Sequence, residues 1–113
     1  MNFDEYQKEA KKTALYKDVG DNFIYPTLGL AGETGEVVEK MKKIYRNDNI
    51  LSARDISEEK KREVGKEMGD VLWYLAQLAS ELDLTLEDIA CMNIEKLASR
   101  KERGVLHSEG DNR

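Results

Sequence analysis

A six-residue pattern occurs twice in this chain, and each copy carries two acidic residues one helical turn apart. The copies are residues 33–38 (ETGEVV) and 67–72 (EMGDVL), so both follow the pattern E-x-G-[E/D]-V-[V/L]. Acids at positions i and i+3 lie on the same face of an α-helix. Each copy therefore predicts a helix that holds its two carboxylates side by side.

The apolar residues around each copy place the acids at the border of a predicted core. At about 100° per residue, the apolar positions centre about 65° from Glu67 on one helix and about 50° from Glu33 on the other. This relation is similar in both copies, so two antiparallel helices would bring both acid pairs to one cleft. The apolar positions are Leu30, Val37, Met41 and Ile44 on the first helix, and Val64, Met68, Val71, Leu75, Leu78 and Leu82 on the second.

Four carboxylates in one cleft repel each other unless a cation lies among them. The sequence therefore predicts a metal site whose ligands are Glu33, Glu36, Glu67 and Asp70. A set of oxygen ligands favours a hard divalent cation, Mg²⁺ with Mn²⁺ as the alternative. The only histidine, His107, lies near the C-terminus. Its position disfavours a di-iron site, which needs Glu-x-x-His pairs, and a typical zinc site.

The whole chain reads as an all-α domain, a four-helix bundle-like fold in which helices two and three carry the acidic motifs. Asn2, Ser57 and Thr85 are suited to cap the first, third and fourth helices, and no stretch alternates as a strand does. The sequence predicts one domain over residues 1–104 and a polar tail over residues 105–113. The predicted helices cover residues 3–16, 26–46, 58–82 and 86–103.

Composition narrows the expected partners. The net charge of −5 argues against nucleic-acid binding, and no apolar run is long enough for a membrane span. The N-terminus does not read as a signal peptide, and the single cysteine allows no intramolecular disulfide, so a cytoplasmic location is expected. A domain of 113 residues has a thin core, which favours a homodimer or homotetramer. Trp73, nearly opposite the predicted core, indicates a second interface.

Two further features have more than one interpretation. Five glycines lie in the acid-bearing helices, where each costs about 1 kcal/mol relative to alanine. They indicate either a close helix crossing or space for a ligand beside the acids. Cys91, between Ala90 and Met92, is interpreted as a core residue and not as a nucleophile. The glycines are Gly29, Gly32, Gly35, Gly65 and Gly69.

From Tyr6–Gln7 through the fourth helix, the chain resembles the MazG-type nucleoside triphosphate pyrophosphohydrolases. That superfamily also includes dimeric dUTPases, all-α dCTP pyrophosphatases and phosphoribosyl-ATP pyrophosphohydrolase. The four acids match the family's metal ligands, and Tyr74 matches a position that is often tyrosine. Residues 93–100 (NIEKLASR) resemble its N-x-x-K-x-x-x-R segment, while the 30 residues between Glu36 and Glu67 slightly exceed the usual spacing.

The resemblance implies an Mg²⁺-dependent enzyme of nucleotide-pool housekeeping that cleaves a nucleoside triphosphate, with dNTPs preferred, to the monophosphate and pyrophosphate. Glu36 is the expected general base, because Glu33, Glu67 and Asp70 suffice to hold a first metal ion. Gln7 and the aromatic residues of the first helix are expected near the base. The residues expected to bind substrate are Tyr74, Asn93, Lys96 and Arg100.

Two alternatives remain open from the sequence. The chain could be a non-catalytic helical interaction or regulatory module, whose acids only increase solubility. It could also be an enzyme like phosphoribosyl-ATP pyrophosphohydrolase, with a different substrate at the same acids.

Overall fold

Four α-helices make up the fold, and the computed structural model describes residues 1–113. They are α1 (Phe3–Lys11), α2 (Ile24–Asp48), α3 (Glu58–Glu81) and α4 (Leu86–Glu102), with one 3₁₀ turn at Ala53–Asp55 between α2 and α3. The prediction of an all-α fold is confirmed. None of the helices combines the length and the apolar character needed to cross a lipid bilayer.

The three predicted N-caps are confirmed. The side chains of Asn2, Ser57 and Thr85 each accept a hydrogen bond from a backbone N–H in the first turn of the following helix. Such caps satisfy N–H groups that have no partner within the helix. The starts of α1, α3 and α4 are therefore fixed by local sequence.

The predicted end of α1 at residue 16 is wrong, because the helix ends at Lys11. The carbonyl of Ala10 accepts hydrogen bonds from Thr13 Oγ1 at 3.0 Å and from Trp73 Nε1 at 3.2 Å. Trp73 Nε1 also donates to Thr13 Oγ1 at 2.8 Å. A side chain of α3 thus satisfies a helix-end carbonyl, and the chain turns toward α2 instead of continuing the helix.

Helices α2 and α3 form an antiparallel hairpin that is the largest packing unit of the fold. The start of α2 meets the end of α3, where Gly29 lies against the ring of Tyr74. Farther along, Lys40 faces Glu67 at 3.8 Å, and near the turn Lys60 pairs with Asp48. This register brings the two copies of the repeated hexapeptide side by side.

The second interface predicted at Trp73 is a contact with α1 of the same chain. Trp73 packs, with Tyr6, Leu75 and Ile89, around a small buried cluster. Helix α3 is apolar on two sides because it packs against α2 on one side and α1 on another. The buried cluster consists of Ala10, Ala76, Ala79 and Leu86.

Several residues predicted for the core lie on the surface. Met41, Met68 and Leu82 are 41%, 57% and 50% exposed, respectively. Cys91 is also exposed. Helix α4 contacts α1 near the start of α4, and most of the remaining residues of α4 are open to solvent. Only nine of the 113 residues are buried, so the apolar surface of this chain is much larger than its core.

Candidate metal centre

Three acids from the two hexapeptide copies converge where α2 and α3 pack together. Glu33, Glu67 and Asp70 each place a carboxylate oxygen within 4.8 Å of the others. Glu67 and Asp70 are one turn apart on α3, and Glu33 reaches them from α2. Glu33 and Glu67 are half-buried and Asp70 is exposed. The cluster is therefore held by rigid helices and is accessible from solvent.

Negative charges are close together in this cluster and repel one another. The pKa of Glu33 is raised by partial burial and by the negative charges of Asp70, Glu67 and Glu36. The nearest basic group, Lys40 Nζ, lies 3.8 Å from Glu67 Oε1, which is longer than a hydrogen bond. Three oxygen ligands with mutual repulsion suit a hard divalent cation such as Mg²⁺ or Mn²⁺. These residues therefore fit the predicted metal.

The fourth predicted ligand, Glu36, lies outside the group of three. Its side chain is exposed on the next turn of α2, although its charge still acts on Glu33. The structure thus brings together the three acids that were expected to hold a first ion. It leaves Glu36 beside them, in a position open to water.

An aromatic cavity adjoins the acids on the side toward α1. Thr13, Trp73 and Tyr74 line it together with Glu33 and Asp70, and its volume is about 350 Å³. The rings of Trp73 and Tyr74 meet edge to face at 5.0 Å between centroids. The cavity therefore has aromatic walls on one side and carboxylates on another.

The family model of the MazG nucleotide pyrophosphohydrolase domain matches residues 25–105, which include α2 from its second residue, all of α3 and α4, and all four acids. The chain belongs to the MazG nucleotide pyrophosphohydrolase family. It is also 43% identical over 118 residues to the "Gene 37 protein" of Mycobacterium phage L5, with the full length of both chains covered. No solved structure matches the chain.

Tyr74 of this MazG chain lines the aromatic cavity beside Glu33 and Asp70. The nearby hydroxyl of Tyr25, partial burial and the charges of Glu33 and Asp70 raise the pKa of Tyr74 to about 12. Its hydroxyl therefore stays protonated and can donate a hydrogen bond. Tyr25 in turn stacks on Tyr16, with ring centroids 4.9 Å apart, so the aromatic wall extends into the loop between α1 and α2.

Glu81 holds that loop in place, and sequence reasoning missed it. Its carboxylate accepts hydrogen bonds from Tyr16 Oη at 2.5 Å, Gly20 N at 2.8 Å and Asn22 N at 3.2 Å. Burial opposes ionisation of Glu81, but these hydrogen bonds lower its pKa overall. A signal was available, because an acid in the last turn of a helix opposes the helix dipole and needs another reason to be there.

Gln7 of this MazG chain is not among the residues that line the aromatic cavity. Its Nε2 donates to Ser80 Oγ and to the carbonyl of Leu84, both at 3.0 Å, and its Oε1 accepts from the backbone N–H of Leu86 at 2.9 Å. All of these contacts tie α1 to the turn between α3 and α4. Gln7 therefore has a structural role in this chain.

The three predicted substrate-binding residues of α4 are not brought to the acids within one chain. Arg100 is buried, and its Nη2 donates to the backbone oxygen of Asp111 at 2.7 Å and to its Oδ1 at 3.1 Å. Lys96 Nζ is 3.4 Å from the same Oδ1, and Asn93 is exposed. The tail, predicted as a separate polar segment, therefore folds back onto the basic end of α4.

We expect repulsion within the acid cluster to lower the free energy of unfolding of the metal-free protein. Because the pKa of Glu33 is raised in the folded state, its ionisation costs stability as pH rises above the unfolded value. Glu33→Gln should therefore raise the melting temperature in EDTA at pH 7. Mg²⁺ at about 100 times its Kd should stabilise the wild type by about 2.7 kcal/mol and the variant much less.

Thermal melts of both proteins with EDTA and with a series of Mg²⁺ concentrations measure this effect. In EDTA, the difference between the two proteins should shrink as pH is lowered toward the unfolded pKa of Glu33. A wild type whose melting temperature does not respond to Mg²⁺ or Mn²⁺ would contradict the assignment of a metal site.

Proposed function

We propose that this MazG chain hydrolyses a nucleoside triphosphate, with a preference for dNTPs, to the monophosphate and pyrophosphate in an Mg²⁺-dependent reaction. One observation carries the proposal: Glu33, Glu67 and Asp70 converge within 4.8 Å beside an aromatic cavity. A cytoplasmic protein with such a site would act on the free nucleotide pool.

The acids of the site have separate roles in the proposed reaction. Glu33, Glu67 and Asp70 would hold a divalent cation, which would neutralise charge at the phosphate oxygens and lower the pKa of a water. Glu36, exposed one turn from Glu33, accepts the proton of the attacking water. The water oxygen bonds to the α-phosphorus, and the bond from that phosphorus to the bridging oxygen breaks. Pyrophosphate leaves with the electron pair.

Tyr74 and the aromatic cavity position the substrate. The protonated hydroxyl of Tyr74 donates to the ribose or to the α-phosphate, while the ring of Trp73 packs against the nucleoside. Asn93, Lys96 and Arg100 also belong to the proposal as substrate ligands. For the last two, the phosphates must replace Asp111, or the residues must act in the site of another copy.

A substrate panel tests the proposed reaction. The protein is incubated with Mg²⁺ and each dNTP, each NTP or phosphoribosyl-ATP, in water enriched in ¹⁸O. We expect the monophosphate, carrying the label, and unlabelled pyrophosphate. Release of a nucleoside diphosphate and phosphate would contradict the proposal. Turnover of phosphoribosyl-ATP alone would support the alternative enzyme, and no turnover of any substrate would favour a non-catalytic module.

We also propose that the working form is a homo-oligomer, a homodimer or a homotetramer. A compact monomer of 12.9 kDa exposes about 6,300 Å², whereas this chain exposes 8486 Å². Its radius of gyration is 17.0 Å, against about 13 Å for a compact domain of this length. The excess area is of the size that permanent homodimers bury.

One face of α2 is suited to meet a second copy. Ile24, Leu28, Val38 and Tyr45 recur at heptad-like spacing along this helix and are 57%, 67%, 59% and 56% exposed. This spacing places them in one stripe on the side away from α3. The stripe lies opposite Glu33, so a partner there would leave the mouth of the metal centre open.

We expect Leu28→Asp to weaken association of the copies by about 30-fold, because a charge would replace an apolar contact of about 2 kcal/mol. Light scattering coupled to size-exclusion chromatography, over a range of protein concentrations, gives the mass. Lys17→Asp, at an exposed position in the loop before α2, is the control and should keep the wild-type mass. A wild type that is monomeric at all concentrations would contradict the proposal.

A further inference from the structure

A second cavity lies between α2 and α3, on the other side of the acids from the aromatic cavity. Its volume is about 200 Å³, and Lys40, Lys43, Asn47 and Lys60 contribute to its lining. These residues belong to the end of α2 and the start of α3, whereas the aromatic cavity involves the start of α2 and the end of α3. The three acids of the metal centre thus lie between an aromatic cavity and one whose lining includes three lysines and two acids.

Two of the lysines are free to exchange their present partners. Lys40 Nζ is 3.8 Å from Glu67 Oε1, and Lys43 Nζ is 3.6 Å from Glu39 Oε1. Both distances exceed a hydrogen bond, and partly exposed ion pairs of this kind contribute little. Lys60, by contrast, is hydrogen-bonded to Asp48 and helps to close the turn end of the cavity.

The position of Lys40 connects this cavity to the metal centre. Its ammonium group already faces a carboxylate of the cluster, and its Cα is two turns, about 10.5 Å, from Glu33 along α2. Lys43 lies one turn farther in the same direction. In a chain with a net charge of −5, two exchangeable ammonium groups next to an acidic cluster are suited to a polyphosphate.

We propose that Lys40 and Lys43 bind the two terminal phosphates of the substrate, which become the leaving pyrophosphate, and that the nucleoside lies toward Trp73 and Tyr74. This inference rests on the proposed function and gives the substrate a direction along the hairpin. Negative charge grows on the pyrophosphate as its bond to the α-phosphorus breaks, so ammonium groups placed there stabilise the transition state. Two acids also line the cavity, Asp48 and Glu63, and Asp48 pairs with Lys60.

Binding of inorganic pyrophosphate tests the inference without any turnover. Titration calorimetry at saturating Mg²⁺ compares the wild type with Lys40→Gln and Lys43→Gln. Each variant should lose about tenfold in pyrophosphate affinity, as expected for one charge-assisted contact. Saturating Mg²⁺ is needed because Lys40 also acts on Glu67. Thermal melts verify that the variants fold.

Lys42→Gln is the matched control. Lys42 lies next to Lys43 on α2, but its Nζ is 2.8 Å from Glu39 Oε2 and it does not line the cavity. This variant should bind pyrophosphate within twofold of the wild type. A nucleoside monophosphate should bind equally well to the wild type, Lys40→Gln and Lys43→Gln, because its single phosphate stays at the acids.

The outcomes separate this inference from the proposed function. If pyrophosphate binds and both lysine variants weaken it, the cavity assignment holds even where no triphosphate is hydrolysed. If triphosphates are hydrolysed but pyrophosphate affinity is unchanged in both variants, the cavity assignment is wrong and the proposed function stands. Failure of the wild type to bind pyrophosphate, or a loss of monophosphate affinity in the lysine variants, would also overturn it.

Discussion

Glu67→Gln is expected to lower kcat/KM for the preferred nucleoside triphosphate by about 1,000-fold, or roughly 4 kcal/mol of transition-state stabilisation. The amide is nearly the same size as the carboxylate, so the helix pairing should persist. The substitution removes one negative charge from the cluster, in which Glu33, Glu67 and Asp70 place carboxylate oxygens within 4.8 Å of one another. A neutral amide oxygen binds Mg²⁺ more weakly than a carboxylate oxygen does. The cation that neutralises the phosphates is therefore held less firmly in place.

Steady-state kinetics over a range of Mg²⁺ concentrations measure this loss. Part of it should be recovered at high Mg²⁺, because the variant retains two of the three carboxylates. Glu95→Gln, the same chemical change on the exposed side of α4, should leave the kinetics unchanged. Wild-type activity in Glu67→Gln would show that the cluster does not hold a catalytic metal.

The acid cluster could be predicted from sequence because the geometry of a single helix fixes its spacing. Glu67 and Asp70 share a face at any length of α3, and the repeated hexapeptide indicates that Glu33 has the same relation to the core. What a helical wheel does not determine is the rotation of α2 in the pair to within one residue. For this reason Glu36, which lies about 60° from Glu33 on the side away from the apolar positions, is predicted as a ligand but is exposed.

Contacts between distant segments account for the features that sequence analysis missed. Trp73 ends α1 early by donating to Ala10, and the tail reaches Arg100 through Asp111. Neither contact follows from periodicity, because each depends on how helices pack. The exposed Met68 and Leu82 show a related limit: an apolar stripe predicts that a face is covered, but it does not say whether the same chain covers it.

The five glycines show how structure decides between two interpretations. Only Gly29 lies at a close crossing, where an added Cβ would overlap the ring of Tyr74. At the other four helix positions, a Cβ would meet no atom within 4 Å. The close-crossing interpretation therefore holds for Gly29 alone. These four glycines are Gly32, Gly35, Gly65 and Gly69.

Gly29→Ala is therefore expected to destabilise the protein by about 2 kcal/mol, the usual cost of overpacking, although alanine is the better helix former. The ring of Tyr74 must move, and it stands beside Glu33 and Asp70, so KM for the nucleoside triphosphate should also rise. Gly32→Ala, less than one turn along the same helix, should instead stabilise the protein by about 0.5–1 kcal/mol. Urea unfolding of the two variants and the wild type measures both effects.

A double substitution identifies the cause of this destabilisation. Because the clash requires the ring, Gly29→Ala should stabilise the protein by about 0.5–1 kcal/mol in a Tyr74→Ala background, where helix propensity alone remains. The difference between its effects in the two backgrounds is the coupling free energy of the pair, expected to be about 2.5–3 kcal/mol. Equal costs in both backgrounds would mean that Tyr74 does not pack on Gly29, and that the aromatic wall of the cavity is held by other contacts.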